Sequence, residues 1–483
     1  MSTDYEQLGF RCGIEIHNRL ATKHKLFCSC SPRFSMAKPV AVVKRKMRAV
    51  AGELGTKDAA AVFEYLKGRT FVYEQYPNES CLVEQDEEPP HAVNREALEV
   101  VLQVAKMLKA EIPDEIQFMR KTVVDGSNTG GFQRTAIVGM NGILETSKGA
   151  VRIANISLEE ESAGIVGHED GNTVYRLDRL GIPLIEIGTE ADVKDPEHAR
   201  EVAEKLGMII RSTGKSQRGI GVTRQDLNVS VRGGARVEVK GFQELDMISS
   251  VLDGEVQRQL SLIREGKQVE KETRQAQPDG TTKFMRPLPG GERMYPETDV
   301  PTIPITKEML AGINVPENWG QKLERLKQSL PADLAEQVLK SEYLPLFERL
   351  VKSYDPILVA TTLVSTMKDM RRRGIKMENI TDNHMEGVLQ AVKLNKTAKE
   401  SVPGLLEMLA TKPRLTAGEA ILEMGAGALT EQQLRTIVQQ VFNKWPELVK
   451  EKKQGALMGE VMKEVRGRID GGTVARVLRE MLE

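Results

Sequence analysis

The apolar pattern of this 483-residue chain changes once, near residue 300, and that change limits what it can fold into. Before it, short apolar or alternating runs sit between Gly, Asn and Asp turns: Arg11–His17, Val123–Asp125, Ala136–Val138, Val151–Leu158, Pro183–Ile187, Asn228–Val231 and Ala235–Val239. Such runs predict strands. Apolar residues at helical spacing interleave with them over Val93–Lys109, Pro196–Thr213 and Leu245–Arg264. Asp195 caps the second of these, with Pro196 at the first helical position. From Thr306 onward the pattern is almost wholly helical, in short charged amphipathic segments. The expected fold is α+β: a large strand-rich domain over 1–300, a helical domain over 301–405 and a helical tail domain over 406–483. Arg286–Pro304 is too rich in Pro and Gly for regular structure, so it reads as a linker or a loop fixed over the first domain.

Charge and cysteine content narrow the function classes. Lys and Arg number 68 against 69 Asp and Glu, which removes any whole-chain attraction to a polyanion. Local clusters must serve if one binds. Lys44-Arg45-Lys46 with Arg48, Arg371-Arg372-Arg373, and Arg466 with Arg468 are the basic runs. Four cysteines (Cys12, Cys28, Cys30, Cys81) are too few for a disulfide scaffold and suggest a reducing compartment. The start lacks a secretory signal, and no stretch approaches the roughly 18 apolar residues of a membrane helix. A cytoplasmic location without membrane contact is expected.

Three acidic segments carry candidate chemistry. In Gly13-Ile-Glu-Ile-His17, strand alternation turns Glu15 and His17 to one face, where they can bind a divalent cation, move protons or simply meet solvent. Leu158-Glu-Glu-Glu161 closes a strand with three carboxylates that repel unless a cation or basic groups offset them. Glu186 lies in the apolar run Ile182–Ile187, where a charge needs a partner; Arg179 is near in sequence. Arg120, Lys121, Arg224 and Lys240 fall among the same strands and offer contacts to phosphate or carboxylate groups. Cys28-Ser-Cys30 is half of a zinc site with no second pair at the usual spacing, which favours free thiols. Dinucleotide, Walker, nucleophile-elbow and zinc-protease motifs are absent.

Taken in order, Gly13–His17, Lys25-Leu-Phe-Cys-Ser-Cys30, Leu158–Glu161, Leu177–Ile187, Arg224-Gln-Asp-Leu-Asn-Val-Ser230, Glu272-Thr-Arg274 and Met294-Tyr-Pro-Glu-Thr-Asp299 resemble the GatB/GatE subunits of tRNA-dependent amidotransferases. Gly455–Lys463 resembles their helical tail. Arg120–Arg134 and Asp86-Glu-Glu-Pro-Pro90 are similar to the archaeal GatE branch rather than to bacterial GatB. An insertion domain typical of GatE, related to one in aspartyl-tRNA synthetase, is missing between Gly266 and Glu272. The resemblance implies that residues 1–300 form the family's cradle domain, with kinase and transamidase activity. ATP phosphorylates the γ-carboxylate of Glu-tRNA(Gln), and ammonia from a GatD-like amidase partner then displaces phosphate. It further implies a Mg²⁺ site at Glu15, His17, Glu160 and Glu186 with Glu159 beside it, a hetero-oligomer, and tRNA held by the helical tail. Two other readings are a GatB-type protein working with GatA and GatC, also on Asp-tRNA(Asn), and a tRNA-binding protein with a decayed site.

Overall fold

The computed structural model describes residues 4–482 except 54, 170–171, 220, 243, 318, 466–467 and 470; Arg466 therefore lies outside the described residues. The alternation around Gly13–His17 becomes the central part of a ten-stranded sheet. In chain order its strands are β1 (Arg11–Arg19), β2 (Phe118–Thr122), β3 (Phe132–Thr146), β4 (Gly149–Glu160), β5 (Pro183–Thr189), β6 (Thr223–Ser230), β7 (Val237–Lys240), β8 (Glu272–Ala276), β9 (Thr282–Pro287) and β10 (Met294–Pro296). The spatial order is β9-β8-β7-β6-β1-β5-β4-β3-β2-β10. Neighbours run antiparallel except β7 and β8.

Three helices, α1 (Arg95–Met107), α2 (Pro196–Ser212) and α3 (Met247–Arg264), share one hydrophobic core with this sheet. Ile14, Ile16, Leu158, Ile185, Ile187 and Leu227 are buried in that core. Each such side chain contributes roughly 1.5–3 kcal/mol on leaving water. A slip of one residue would turn all of them out, so the core fixes the register and hence which side chains line the opposite, polar face.

A second, four-stranded sheet pairs Ala41–Arg45, Phe71–Gln75, Asn172–Arg176 and Gly164–Glu169. It buries Phe71, Tyr73, Tyr175 and Leu177. Periodicity does not reveal it, because its first strand is the exposed run that ends in Lys44-Arg45. Val123–Asp125, expected as a strand, follows β2 as irregular chain. β3 runs for 15 residues where only Ala136–Val138 is legible in the sequence. Gly139, Gly142 and Asn141 look like turn residues in sequence. In the fold, a register shift between Ile137 and Gly139 and a left-handed Asn141 (φ 54°) are absorbed within the long hairpin.

The chain divides into two units, Met1–Pro316 and Glu317–Glu483. The first runs past residue 300 because Ile303–Pro304 pairs with Glu115–Ile116, and Met309, Leu310 and Ile313 pack on its core. Arg286–Pro304 is thus a fixed segment, pinned by β10 pairing to β2. The second unit is helical and has two cores. One gathers residues from Leu326 to Ile421; the other, from Leu429 to Leu478, joins the helices Glu431–Lys444, Gln454–Val465 and Gly471–Leu482. The helix Val402–Thr411 belongs to the first of these cores, so that core continues past residue 405. No described helix is long and apolar enough to cross a membrane.

Candidate active site

Strand register assembles the polar face. His17 lies opposite Glu186 on β5 and opposite Arg224 on β6. Glu15 lies opposite Asp226, and Glu159 opposite Leu184, two residues from Glu186. Paired residues share a face, so Glu15, His17, Glu159, Glu186, Arg224, Asp226 and Lys240 all project to the side away from the helices. His17 Nε2 is 3.0 Å from Glu186 Oε2. Lys121 Nζ donates to Glu159 Oε1 at 2.6 Å and is 3.6 Å from Glu186. Beside them is a cavity of about 440 Å³ lined in part by Met119, Lys121, Ile137, Ser157, Glu159 and Glu186.

His17, Glu159 and Glu186 bring one ligand atom each within 4.8 Å of one another. One imidazole nitrogen and two carboxylates suit a hard divalent cation, so the residues present fit Mg²⁺. Burial would raise the Glu186 carboxyl, but Lys121 and His17 outweigh it and hold Glu186 well below the usual range. Burial likewise opposes protonation of His17 and Lys121, and the carboxylates beside them push both upward. Lys121 sits between the two carboxylates as a cation would, and an incoming metal frees it to turn to an anionic ligand. Next along the sheet, Glu15, Asp226 and Glu238 form a second carboxylate group, also within 4.8 Å. Lys240 pairs with Asp226 and lies 3.2 Å from Glu238. Asn228 donates to Glu15 at 3.1 Å. Glu15 is therefore one group removed from the His17 cluster, and burial followed by the charge of Glu186 raises its pKa.

Two expected site residues fall elsewhere. Glu160 pairs with Pro183 across β4–β5, one residue out of phase with Glu159, and faces the other side of the sheet. There it accepts from the Arg134 backbone N–H at 2.9 Å, and its pKa rises through burial. Arg120 likewise binds Glu297 through two nitrogens at 2.9 and 2.8 Å, and Asp299 at 2.9 Å. The structure thus removes Glu160 from the cation cluster and Arg120 from the polar face. Arg179 and Arg224 both donate to Glu161 Oε1, at 3.1 and 2.9 Å.

The cysteines gather more closely than sequence spacing suggests. Cys28, Cys30 and Cys81 meet Glu84, their ligand atoms within 4.8 Å, and Cys28 Sγ is 2.9 Å from Glu84 Oε1. The missing second half of the motif is Cys81-Leu-Val-Glu84, with a carboxylate in place of the fourth thiol. Hydrogen bonds from Cys28 and Cys30 lower the Cys81 thiol far below its ordinary value. Three sulfurs and one carboxylate suit tetrahedral zinc.

Residues 10–311 match the GatB/GatE catalytic domain, and residues 345–482 match the GatB domain. The chain belongs to the GatB/GatE family. It is 35% identical to the GatE-type glutamyl-tRNA(Gln) amidotransferase protein of Methanosarcina barkeri, over 99% of this chain and 98% of that protein. Identity to the same protein of Archaeoglobus fulgidus is 36%, over 99% of each chain. For that of Natronomonas pharaonis it is 35% over the full length of both. The Methanosarcina alignment runs to 624 positions against 483 residues here, leaving at least 141 positions with no residue of this chain. A gap of that size is a domain's worth. It fits the insertion absent between Gly266 and Glu272, where this GatB/GatE chain passes directly from α3 to β8.

Asp226, Glu238, Glu161 and Asn228 join the site without standing out as candidates in the sequence, although Glu161, Asp226 and Asn228 sit inside its motifs. The available signal is alternation: Asp226 and Asn228 share the phase of Arg224, and Glu161 that of Glu159.

Proposed function

We propose that this chain converts Glu-tRNA(Gln) to Gln-tRNA(Gln), using ATP, Mg²⁺ and ammonia delivered by a GatD-like amidase partner in a cytoplasmic hetero-oligomer. The observation that carries this reading is the His17–Glu159–Glu186 cluster with Lys121, on the polar face of a GatB/GatE catalytic domain. His17, Glu159 and Glu186 would hold Mg²⁺, which when bound neutralises phosphate charge. The γ-carboxylate oxygen of the glutamyl group attacks the terminal phosphorus of ATP, and ADP leaves. Ammonia then attacks the acyl carbon, inorganic phosphate departs, and a proton is lost to give the amide. Such phosphoryl transfer needs positioning and charge stabilisation more than covalent help from the protein. Lys121, Arg179, Arg224 and Lys240 supply positive charge along the face. Arg120 is held by Glu297 and Asp299 and takes no part. The helical tail would hold the tRNA body through local phosphate contacts.

Relatives of the GatE type favour this reading over a GatB-type protein, and the intact carboxylate cluster favours an enzyme over a binding protein with a decayed site. The test is amide formation on purified Glu-tRNA(Gln) by this chain alone with ATP, Mg²⁺ and ammonium chloride. Glutaminyl-tRNA formed only when ATP is present supports the reading. tRNA binding without product or ATP turnover contradicts it. Robust activity with glutamine in place of ammonium would contradict the need for a partner.

A further inference from the structure

Arg19 is the charged group in this fold with the least to hold it. It lies two residues beyond His17 on β1, on the same polar face, and is only 5% exposed. Among the described residues its guanidinium makes no hydrogen bond or ion pair, and Nε is a buried donor without a partner. Its guanidinium lies over the ring of Phe34, 5.1 Å away. Burial, only partly offset by Glu161 and worsened by Arg179 and Arg224, lowers it to about 10. Arg179 Nε is a second buried donor without a partner. Glu161 gives a single oxygen, Oε1, to both Arg179 and Arg224.

Three guanidinium groups therefore surround one carboxylate. A buried charge without a counter-ion is strongly unfavourable, so an arrangement that leaves two positive charges in excess calls for an anion. The side chains of Arg179 and Arg224 are 25% and 35% exposed, which leaves a way in from solvent. A carboxylate or a phosphodiester would cancel one of the two charges; a terminal phosphate, as a dianion, cancels both. Guanidinium forks also match the geometry of phosphate oxygens.

We propose that Arg19, Arg179 and Arg224 form a seat for a terminal phosphate group, with Arg19 as the residue that sets its preference for a dianion. The inference rests on the function proposed above, which supplies two sources of such a group: the end of the nucleotide before transfer and inorganic phosphate after displacement. The seat lies on the polar face beside the cation cluster, since Arg224 is directly opposite His17.

The experiment is binding of inorganic phosphate, and separately of ATP and ADP, to the full chain by calorimetry without Mg²⁺ or tRNA, together with thermal unfolding. The variant is Arg19→Met, which keeps the stem and removes the charge. Because that charge is unpaired, Arg19→Met unfolds at the same temperature as the parent or higher, while phosphate binds roughly tenfold or more weakly. A purely structural Arg19 would show the reverse: lower unfolding temperature and unchanged phosphate affinity. Arg19→Lys, which keeps the charge and loses the fork, should fall between. Phosphate competing with ATP identifies the seat with the nucleotide end. Phosphate binding in the presence of saturating ATP identifies it with the released product. No phosphate binding to the parent protein, or equal binding by Arg19→Met, overturns the proposal. Phosphate binding that depends on Arg19 in a chain that forms no amide would leave the seat standing and defeat the function proposed above.

Discussion

Glu159 and Glu160 are consecutive in the chain and serve opposite faces of one sheet. Glu159 accepts from Lys121 at 2.6 Å beside His17 and Glu186, whereas Glu160 accepts from the Arg134 backbone at 2.9 Å. On the Glu160 side, Arg134 and Arg120 converge on Glu297, whose side chain is fully buried. The division separates a face for chemistry from a buried ion network that fixes β10 against β2.

That network predicts a stability effect without a metal effect. Glu297→Ala leaves two guanidinium groups without their shared carboxylate and should cost about 3–5 kcal/mol. Urea unfolding measures this, and Mg²⁺ titration of the folded variant should match the parent. Weakened Mg²⁺ binding at unchanged stability would contradict the division.

Lys121 occupies the space between two carboxylates that a divalent cation would use. Lys121→Met should leave Mg²⁺ binding as tight or tighter, because a competing cation is gone. Turnover should fall by roughly 10²-fold, the usual effect of losing one group that stabilises transferring charge. The Mg²⁺ dependence of ATP turnover separates the two effects. Loss of metal binding with full turnover at saturating Mg²⁺ would contradict the assignment.

The thiol cluster predicts bound zinc, about one ion per chain by its four donors. Elemental analysis of protein purified without chelator measures it, and Cys81→Ser should remove the ion. Zinc-free protein whose stability ignores chelators would leave Cys28, Cys30 and Cys81 as plain thiols.

His198 gives a pH dependence independent of the site. It is 1% exposed; the Lys194 backbone N–H donates to Nδ1 at 3.1 Å, and Thr146 meets Nε2 at 2.8 Å. Burial lowers its pKa below 6.5, so the unfolded chain takes up the proton first. Its contribution is therefore constant above pH 6.5 and is lost as pH falls below that value. In urea unfolding, the stability difference between parent and His198→Gln should shrink on going from about pH 7.5 to about pH 5. A difference that grows on acidification would contradict this sign.

Much of this is legible in the chain. Alternation through Gly13–His17 predicts the shared face of Glu15 and His17, and the apolar run around Glu186 marks a charge that needs partners. The same alternation excludes Glu160 once Leu158 is placed in the core, but three adjacent glutamates hide their phase until the register is known. Arg120 and Lys121 pose the same difficulty. The cysteine cluster is invisible in sequence because its halves are about fifty residues apart and one ligand is a glutamate. The second sheet stays hidden because its first strand is exposed and charged, so no apolar period marks it.

The most direct test compares Glu159→Gln and Glu160→Gln in ammonium-dependent amide formation as Mg²⁺ is varied. If the polar face is the metal centre, Glu159→Gln raises the Mg²⁺ needed for half-maximal product by about tenfold or more, the order expected for losing a charged ligand group. Glu160→Gln then follows the parent's Mg²⁺ dependence at reduced stability. An unchanged Mg²⁺ requirement for Glu159→Gln, with a shifted one for Glu160→Gln, would contradict the account.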